Sequence, residues 1–253
     1  MTRSEPRWKR FWSGLGKWKL RPEKVSWREE AKRRVALEAV KHVEDGFVVG
    51  LGSGSTAAYG IKELGRQMLQ KGLRVLGVPS SSQAMMLAVQ SGIPLTTLDE
   101  HPILDLAIDG ADQIDKKLNL IKGGGGALTR EKIVASAAKQ FVVIADETKL
   151  VEKLGKNCRV PVEVLPFALA TATAGIKELG GKPLLREGKG KVGAVVTDNG
   201  NYIVDVDFGS VDDAEELNRR LKLIPGVIET GLFIGMADIV YLGKADGIIR
   251  LEK

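Results

Sequence analysis

A short segment near the middle of the chain carries several groups that can move a proton. In chain order these groups are Asp109, Asp112, Lys122, the four glycines at 123–126 and Glu131. A positioned carboxylate can remove a proton from a carbon next to a carbonyl group. An ammonium group and backbone N–H groups can then stabilise the oxyanion that develops. The segment therefore predicts acid–base chemistry that needs neither a metal nor a histidine.

The strand that precedes the two aspartates determines where they lie. Asp109 ends an apolar run and Asp112 follows after Gly110 and Ala111, so both carboxylates are expected at the carboxyl edge of a sheet. Open α/β sheets bind ligands at this edge. A turn capped by aspartates would use the same residues. A divalent-metal site is a third interpretation, although Lys122 would compete with the cation and no histidine or cysteine cluster assists.

The glycines at 123–126 and the acid behind them favour a ligand site over a simple connector. Ordering four glycines costs backbone entropy, but it lets the backbone approach a ligand closely. Glu131 falls in the first turn or two of the following helix, where the helix dipole favours an ionised carboxylate. By itself Glu131 could be only a helix-start acid. Beside two aspartates and a lysine, the catalytic interpretation is the better one.

A second loop has the composition of an anion site. Residues 52–56 read Gly-Ser-Gly-Ser-Thr and lead from a short strand into a helix, so N–H groups and the helix dipole converge there. The loop lacks the lysine and the spacing of a Walker loop, and it lacks the third glycine of the Rossmann fingerprint. From these residues alone, phosphate binding and a tight strand-to-helix turn both stay open.

The elements that must position these loops alternate between apolar strands and amphipathic helices. Helices are predicted over 28–43, from the loop at 52–56 through about 70, over 81–90 and over 127–139, and strands over 47–51, 74–79, 95–98, 104–108 and 141–145. This alternation is typical of a parallel sheet covered on both faces. The fold class is therefore α/β, with a Rossmann-like, mostly parallel sheet.

The pattern changes after residue 150. Strands are predicted over 160–165, 183–187 and 227–228, helices over 168–179 and 212–221, and a hairpin over 193–206 that turns at 198–201. Two βαβ-like halves predict an inserted ferredoxin-like α+β domain. The final strands, 237–242 and 247–251, return to the first sheet. The predicted domains are a Rossmann-like domain over 28–150 and 231–253, an α+β domain over 151–230, and an N-terminal extension over 1–27.

Composition narrows the class of protein. The formal net charge is +6, but residues 1–28 hold nine lysines or arginines against two glutamates, so the remaining chain is nearly neutral. Nucleic-acid binding is thus not expected of the folded body, and only the basic, tryptophan-containing extension offers an RNA or partner contact. Alternatively, the extension has no binding role and is poorly ordered. No apolar run predicts a membrane span, and the single cysteine, Cys158, predicts a cytoplasmic protein without disulfides.

Seven features of the chain follow one another in an order that is hard to attribute to chance. They are residues 52–57, 78–82, 109–112, 122–132 and 144–146, Lys149, and residues 196–201. In order and spacing they resemble the motifs of the type A ribose-5-phosphate isomerases, and the resemblance covers roughly residues 31–251. It implies a Rossmann-like domain interrupted by an α+β domain, assembled as a homo-oligomer, either a dimer or a tetramer. It also implies a sugar-phosphate substrate and no cofactor or metal.

The resemblance further implies a role for each group. Glu131 would be the general base that moves a proton between C2 and C1 as D-ribose 5-phosphate and D-ribulose 5-phosphate interconvert in the non-oxidative pentose phosphate pathway. Asp109, Asp112 and Lys122 would handle ring opening and the developing oxyanion. The implied substrate-binding residues are Ser53, Gly54, Ser55, Thr56, Gly110, Ala111, Gly123, Gly124, Gly125, Lys149 and Lys32. The extension has no counterpart in the family, and Ser53 stands where many members carry threonine.

Two other functions were compatible with parts of the pattern. A sugar-phosphate-sensing regulator would bind without turnover, but no helix-turn-helix fits before residue 28. A sugar-phosphate isomerase-deaminase would need a histidine at the active loop, and neither His42 nor His101 offers one convincingly. The prediction is therefore an isomerase.

Overall fold

The computed structural model describes residues 26–188, 190 and 192–253. Apart from Ser26 and Trp27, the predicted N-terminal extension and its proposed RNA contact lie outside the described residues. The described chain begins with a capped helix, because Ser26 is the N-cap and its hydroxyl accepts a hydrogen bond from the Glu29 N–H. No described helix is both long enough and apolar enough to cross a membrane.

A six-stranded sheet organises the larger part of the fold. Its strands are β1 (Val48–Leu51), β2 (Leu76–Pro79), β3 (Leu106–Gly110), β6 (Phe141–Asp146), β12 (Ile239–Gly243) and β13 (Ile248–Glu252). The strand order is β13-β12-β6-β3-β1-β2, and only β13 pairs antiparallel to its neighbour. This arrangement confirms the predicted mostly parallel α/β sheet.

Helices cover both faces of this sheet. They are α1 (Trp27–Val40), α2 (Gly54–Lys71), α3 (Ser82–Gln90) and α4 (Leu128–Ser136). One core cluster joins the first three helices to the sheet through residues such as Val35, Ile61 and Ala88. A second cluster brings Val134 of α4 against the opposite face. Burial on both faces explains why these strands read as continuous apolar runs rather than alternating ones.

A second sheet is built from the middle of the chain. Its elements, in chain order, are β7 (Val160–Val164), α5 (Leu169–Glu178), β8 (Lys182–Leu185), β9 (Tyr202–Asp207), α6 (Ala214–Lys222) and β10 (Val227–Thr230). The strand order is β10-β7-β9-β8, and every pairing is antiparallel. This βαββαβ unit has the predicted ferredoxin-like form, with its own apolar core between sheet and helices.

The structure differs from the sequence prediction in three local features. Three two-residue strands, β4 (Gln113–Ile114), β5 (Leu120–Ile121) and β11 (Leu232–Phe233), form a small sheet that was not predicted. The predicted strand over 95–98 is only an isolated bridge at Leu95. Among described residues, the first arm of the predicted hairpin over 193–206 supplies isolated bridges, whereas the second arm is β9. Short segments of this kind carry too few residues for a periodic signal.

The topology concentrates loops at one edge of the large sheet. β1 and β3 are neighbours, but the chain leaves them in opposite directions, β1 toward β2 and β3 toward β6. A crevice therefore opens at the carboxyl ends of β1 and β3, which is the usual ligand position in an open α/β sheet. The loop at 52–56, Asp109 and the end of β6 all meet at this edge.

Candidate active site

Three charged side chains from different elements meet beneath the crevice. Lys122 Nζ lies 2.9 Å from Asp109 Oδ2 and 3.3 Å from Glu131 Oε2. All three side chains are almost fully buried, with residue exposures of 3% for Asp109, 2% for Lys122 and 6% for Glu131. The ammonium group also donates to the carbonyl oxygen of Gly110 at 2.7 Å. Two carboxylates thus share one buried cation.

Glu131 is the under-bonded member of this group. Within the described part of the chain, its Oε2 has no hydrogen-bond donor, although Lys122 lies within ion-pair distance. Burial and the neighbouring Asp109 carboxylate together raise the pKa of Glu131 to about 8. A carboxyl group whose pKa is near neutrality and whose oxygen atom accepts no described hydrogen bond is suited to accept a proton and release it again.

The environment also shifts the pKa values of the two partners. Burial raises the pKa of Asp109, against the opposing effect of Lys122 and of the N–H groups that bond to its carboxylate. Burial alone would lower the pKa of Lys122, but Asp109 and Glu131 outweigh burial and raise it, so the amine stays protonated.

Backbone groups fix the orientation of Asp109. Its Oδ1 accepts hydrogen bonds from the N–H groups of Ser53 at 3.0 Å and Gly110 at 2.7 Å. The approach requires glycine at position 52, because a Cβ there would lie 2.2 Å from the Asp109 side chain. The carboxylate therefore joins the end of β3 to the loop after β1.

The glycine loop folds back over Asp112. Gly123 and Gly126 have φ values of +99° and +78°, a backbone conformation that favours glycine. The N–H group of Gly124 donates to Asp112 Oδ2 at 2.8 Å. From the second sheet, Arg186 donates to the carbonyl oxygens of Gly123 and Gly124 and pairs with Asp205. The loop conformation is thus held from both sides.

The serine-rich loop is held by contacts within the protein. Ser53 Oγ is hydrogen-bonded to the hydroxyl groups of Ser80 at 2.9 Å and Ser81 at 2.6 Å. Gly54 is the first residue of α2, and its N–H donates to Gln83 Oε1 at 2.9 Å. The hydroxyl of Ser53 is therefore already engaged. Lys32 of α1 brings a cation to this loop, since its Nζ lies 3.2 Å from Ser55 Oγ.

A cleft of about 270 Å³ gathers nearly all the sequence-predicted site residues. Of the predicted residues, those that line it are Lys32, Ser53, Gly54, Ser55, Thr56, Gly110, Ala111, Asp112, Lys122, Gly123, Gly124, Gly125, Glu131 and Lys149. Asp109 does not line the cleft but lies beneath it, in contact with Lys122. No group of three or more metal-ligating side chains occurs among the described residues.

Three further residues line the cleft, Arg28, Asp146 and Thr148, and none of them was predicted as a site residue, although Asp146 ends the motif at 144–146. Asp146 ends β6, and Thr148 lies in the 3₁₀ turn Glu147–Lys149, where its side chain and its N–H both bond to Asp146. Their position directly after a buried strand was a usable signal, since β6 opens onto the same edge as β3. Arg28 in α1 carried no such signal.

Comparisons with known proteins converge on one family. Residues 76–247 match the family described as ribose 5-phosphate isomerase A (phosphoriboisomerase A). The ribose-5-phosphate isomerase A of Methanosarcina acetivorans is 54% identical over 220 residues, which is 87% of this chain and 93% of that protein. The corresponding protein of Methanothermobacter thermautotrophicus is 51% identical over 217 residues, 86% of this chain and 95% of that protein.

Solved structures agree with the sequence matches. Ribose 5-phosphate isomerase A from Methanocaldococcus jannaschii superposes with a TM-score of 0.86 at 50% identity, covering 89% of this chain and 99% of that one. A D-ribose-5-phosphate isomerase solved in complex with phospho-erythronic acid gives a TM-score of 0.87 at 45% identity with the same coverage. The chain therefore belongs to the ribose 5-phosphate isomerase A family and is an isomerase.

Proposed function

We propose that the chain interconverts D-ribose 5-phosphate and D-ribulose 5-phosphate, with Glu131 as the general base. The observation that carries the proposal is the buried Glu131 carboxyl at the wall of the cleft, whose Oε2 lies 3.3 Å from Lys122 Nζ and accepts no hydrogen bond from the described residues. Family membership supports the substrate, since the relatives named above are ribose-5-phosphate isomerases.

The proton transfer follows from the properties of Glu131. In the open-chain aldose, Glu131 removes the proton on C2, and the electrons of the C2–H bond form a C1–C2 double bond while O1 becomes negative. A proton then passes from the C2 hydroxyl group to O1, so that the negative charge lies on O2. As O2 forms the new carbonyl group, C1 takes the transferred proton back from Glu131, which gives the ketose. A base with a pKa of about 8 can do both, because its affinity for the proton is close to balanced near neutral pH.

The negative oxygen needs preorganised positive groups. Lys122 lines the cleft, keeps its proton, and is held by Asp109 and the Gly110 carbonyl, so its ammonium is fixed before substrate arrives. The glycine loop at 123–125 lines the same wall and can present N–H groups. Donors that are fixed in advance lower the barrier because no reorganisation is needed during the reaction. Asp112, which lines the cleft and accepts from Gly124, is assigned to ring opening.

The phosphate end of the substrate is assigned to the part of the cleft that carries Lys32 and Lys149. Lys32, Lys149 and the start of α2 with Ser55 and Thr56 all line it. Two lysines and a helix N-terminus together favour a dianionic group. A relative solved with phospho-erythronic acid supports a cleft for phosphorylated polyhydroxy acids and sugars.

We extend the proposal to the setting of the enzyme. The reaction places it in the non-oxidative pentose phosphate pathway, and the family resemblance supports a homo-oligomer, either a dimer or a tetramer. A cytoplasmic location is consistent with the single cysteine, Cys158. Light scattering on the purified protein measures the oligomeric state directly.

A direct assay tests the proposed reaction. Purified protein is incubated with D-ribose 5-phosphate, and D-ribulose 5-phosphate is measured with and without EDTA. We expect formation of the ketose at the same rate in both samples, because the acid, base and cation are all side chains of the protein. Binding without turnover would support a sugar-phosphate sensor and contradict the proposal. Activity that EDTA abolishes would contradict the metal-free mechanism.

A further inference from the structure

A second buried glutamate lies outside the cleft and makes an unusual number of hydrogen bonds. Glu163 of β7 is fully buried, at 0% exposure. Its Oε1 accepts hydrogen bonds from Thr197 Oγ1 at 2.8 Å, Asn199 Nδ2 at 3.0 Å and Asn201 Nδ2 at 2.8 Å. Its Oε2 accepts from the hydroxyl of Thr129. We call these five residues the Glu163 cluster.

The donors of the Glu163 cluster come from two elements that otherwise belong to different parts of the fold. Three come from the loop at 197–201, which precedes β9 of the second sheet. The fourth, Thr129, lies in the first turn of α4, two residues before Glu131. A carboxylate has about four acceptor positions and here receives four hydrogen bonds, three at Oε1 and one at Oε2, so the cluster joins the loop and the helix in one geometry.

The same loop also makes direct contacts with the residue next to Glu131. Arg130, the residue before Glu131, donates to Asn199 Oδ1 at 2.7 Å and to the carbonyl oxygen of Asp198 at 2.8 Å. Asp198 in turn accepts from the N–H of Ser82, the first residue of α3, at 2.8 Å. Loop 197–201 is therefore bonded both to the helix that carries Glu131 and to the helix whose N-cap, Ser81, holds Ser53.

We infer that the Glu163 cluster positions Glu131, and that Glu163, Thr129 and Asn199 are positioning residues for proton transfer. The inference rests on the proposed function and adds residues that touch neither the substrate nor the reacting atoms. Glu131 itself has one oxygen without a described donor, so its own hydrogen bonds do not fix its position. The bonds of Thr129 and Arg130, its neighbours in the first turns of α4, supply that constraint.

A misplaced base has a recognisable kinetic effect. Displacement of a catalytic group by about 1 Å can cost on the order of 10² in rate while substrate contacts stay intact. Loosening the start of α4 should therefore lower kcat and leave KM nearly unchanged, because the phosphate end is bound by α1, α2 and the turn at Lys149. A role confined to stability would lower the melting temperature without lowering kcat of the folded protein.

A matched pair of variants tests the inference. Thr129→Val removes the hydroxyl that donates to Glu163 and nearly keeps the shape of the side chain, whereas Thr129→Ser keeps the hydroxyl. We expect Thr129→Val to lower kcat by about 10- to 30-fold with KM within about twofold, and Thr129→Ser to stay within about twofold of wild type in both. With ribose 5-phosphate deuterated at C2, the isotope effect on kcat should rise in Thr129→Val, because C–H cleavage becomes slower relative to binding and release.

The outcomes separate the two claims. If wild type is active and folded Thr129→Val keeps wild-type kcat, the inference is wrong and the proposed function stands. If wild type does not isomerise the sugar phosphate, both fail. If Thr129→Val does not fold, a variant of the exposed residue Arg130, Arg130→Ala, tests the inference instead. A loss in kcat of about fivefold or more at unchanged KM supports the inference, and wild-type kcat overturns it.

Discussion

Glu131 and Glu163 are both buried glutamates, and they lie on two elements that the Thr129 hydrogen bond joins, yet their surroundings are opposite. Glu163 accepts four hydrogen bonds from uncharged side chains. Glu131 faces a lysine and a second carboxylate, and one of its oxygen atoms has no described hydrogen-bond donor. A carboxylate that accepts four hydrogen bonds holds neighbouring elements together, whereas one with few hydrogen bonds can still bind a proton.

The difference shows how one fold uses buried charge for two purposes. Burial of an isolated carboxylate is unfavourable unless donors compensate for lost water. At Glu163 four hydrogen bonds supply this compensation, so the group is suited to a fixed role. At Glu131 the compensation is partial, and the pKa is raised to about 8 as a result. The following predictions test this contrast, from the largest effect to the smallest.

Removing the shared cation should have the largest effect. Lys122→Met leaves Asp109 and Glu131 buried without their cation, so we expect a loss of about 3–5 kcal/mol in the free energy of unfolding at pH 8, measured by urea titration. The variant should also lose about 10²–10³ in kcat. Lys139→Met is the control: it breaks the exposed pair with Asp105 and should cost less than about 1 kcal/mol. Equal losses in both variants would contradict the contrast.

Replacing the hydrogen-bonded carboxylate of Glu163 should have the next largest effect on stability. Glu163→Gln keeps the size of the side chain but replaces one acceptor oxygen with an NH₂ group, which then faces the hydrogen-bond donors of the Glu163 cluster. We expect a loss of about 1–3 kcal/mol in the free energy of unfolding, because at least one buried donor loses its acceptor. The measurement is again urea unfolding. A variant as stable as wild type would mean that the four hydrogen bonds contribute no net stability.

The pH dependence of activity should follow Glu131. The base must be ionised in the free enzyme, and its pKa is raised to about 8, so kcat/KM should rise about tenfold from pH 6 to pH 7 and level off above pH 9. The linked stability has the opposite sign: a carboxyl that binds its proton more tightly when folded contributes most below pH 4.5, and this contribution is lost as pH rises through about 8. A kcat/KM profile that is flat from pH 6 to pH 9 would contradict the assignment.

The smallest effect is expected at the rim of the cleft. Lys149→Met removes one of the cations assigned to the phosphate, so KM should rise about fivefold and kcat should stay within about twofold. Added salt should shrink the difference, since partly exposed charges are screened. Lys182→Met, on the exposed edge strand β8, serves as the control and should leave KM unchanged. A loss in kcat rather than KM would place Lys149 in the chemistry instead.

Much of this architecture could be predicted from the sequence. The apolar run at 141–145 predicted β6 to within one residue, and the alternation of such runs with helices gave the α/β class, which is confirmed. The family resemblance is confirmed as well. Local patterns succeed here because each strand is buried on both faces and is therefore continuously apolar.

The parts that escaped prediction depend on tertiary contacts. β4, β5 and β11 hold two residues each, too few for a periodic signal. Glu163 alternates with Val162 and Val164 in β7, which indicates a solvent-facing position, but α4 and the loop at 197–201 cover that face. The engagement of the Ser53 hydroxyl by Ser80 and Ser81 likewise joins residues more than 25 positions apart. No local pattern encodes such pairings.

The role of Glu131 as the general base is tested most directly by the rate at which Glu131→Gln breaks the C2–H bond. Ribose 5-phosphate deuterated at C2 is followed by NMR, and deuterium is counted as it leaves C2, whether it moves to C1 or to water. We expect Glu131→Gln to bind the substrate still but to cleave this bond at least about 10³-fold more slowly than wild type. Cleavage at the wild-type rate would contradict it, because another group would then be the base.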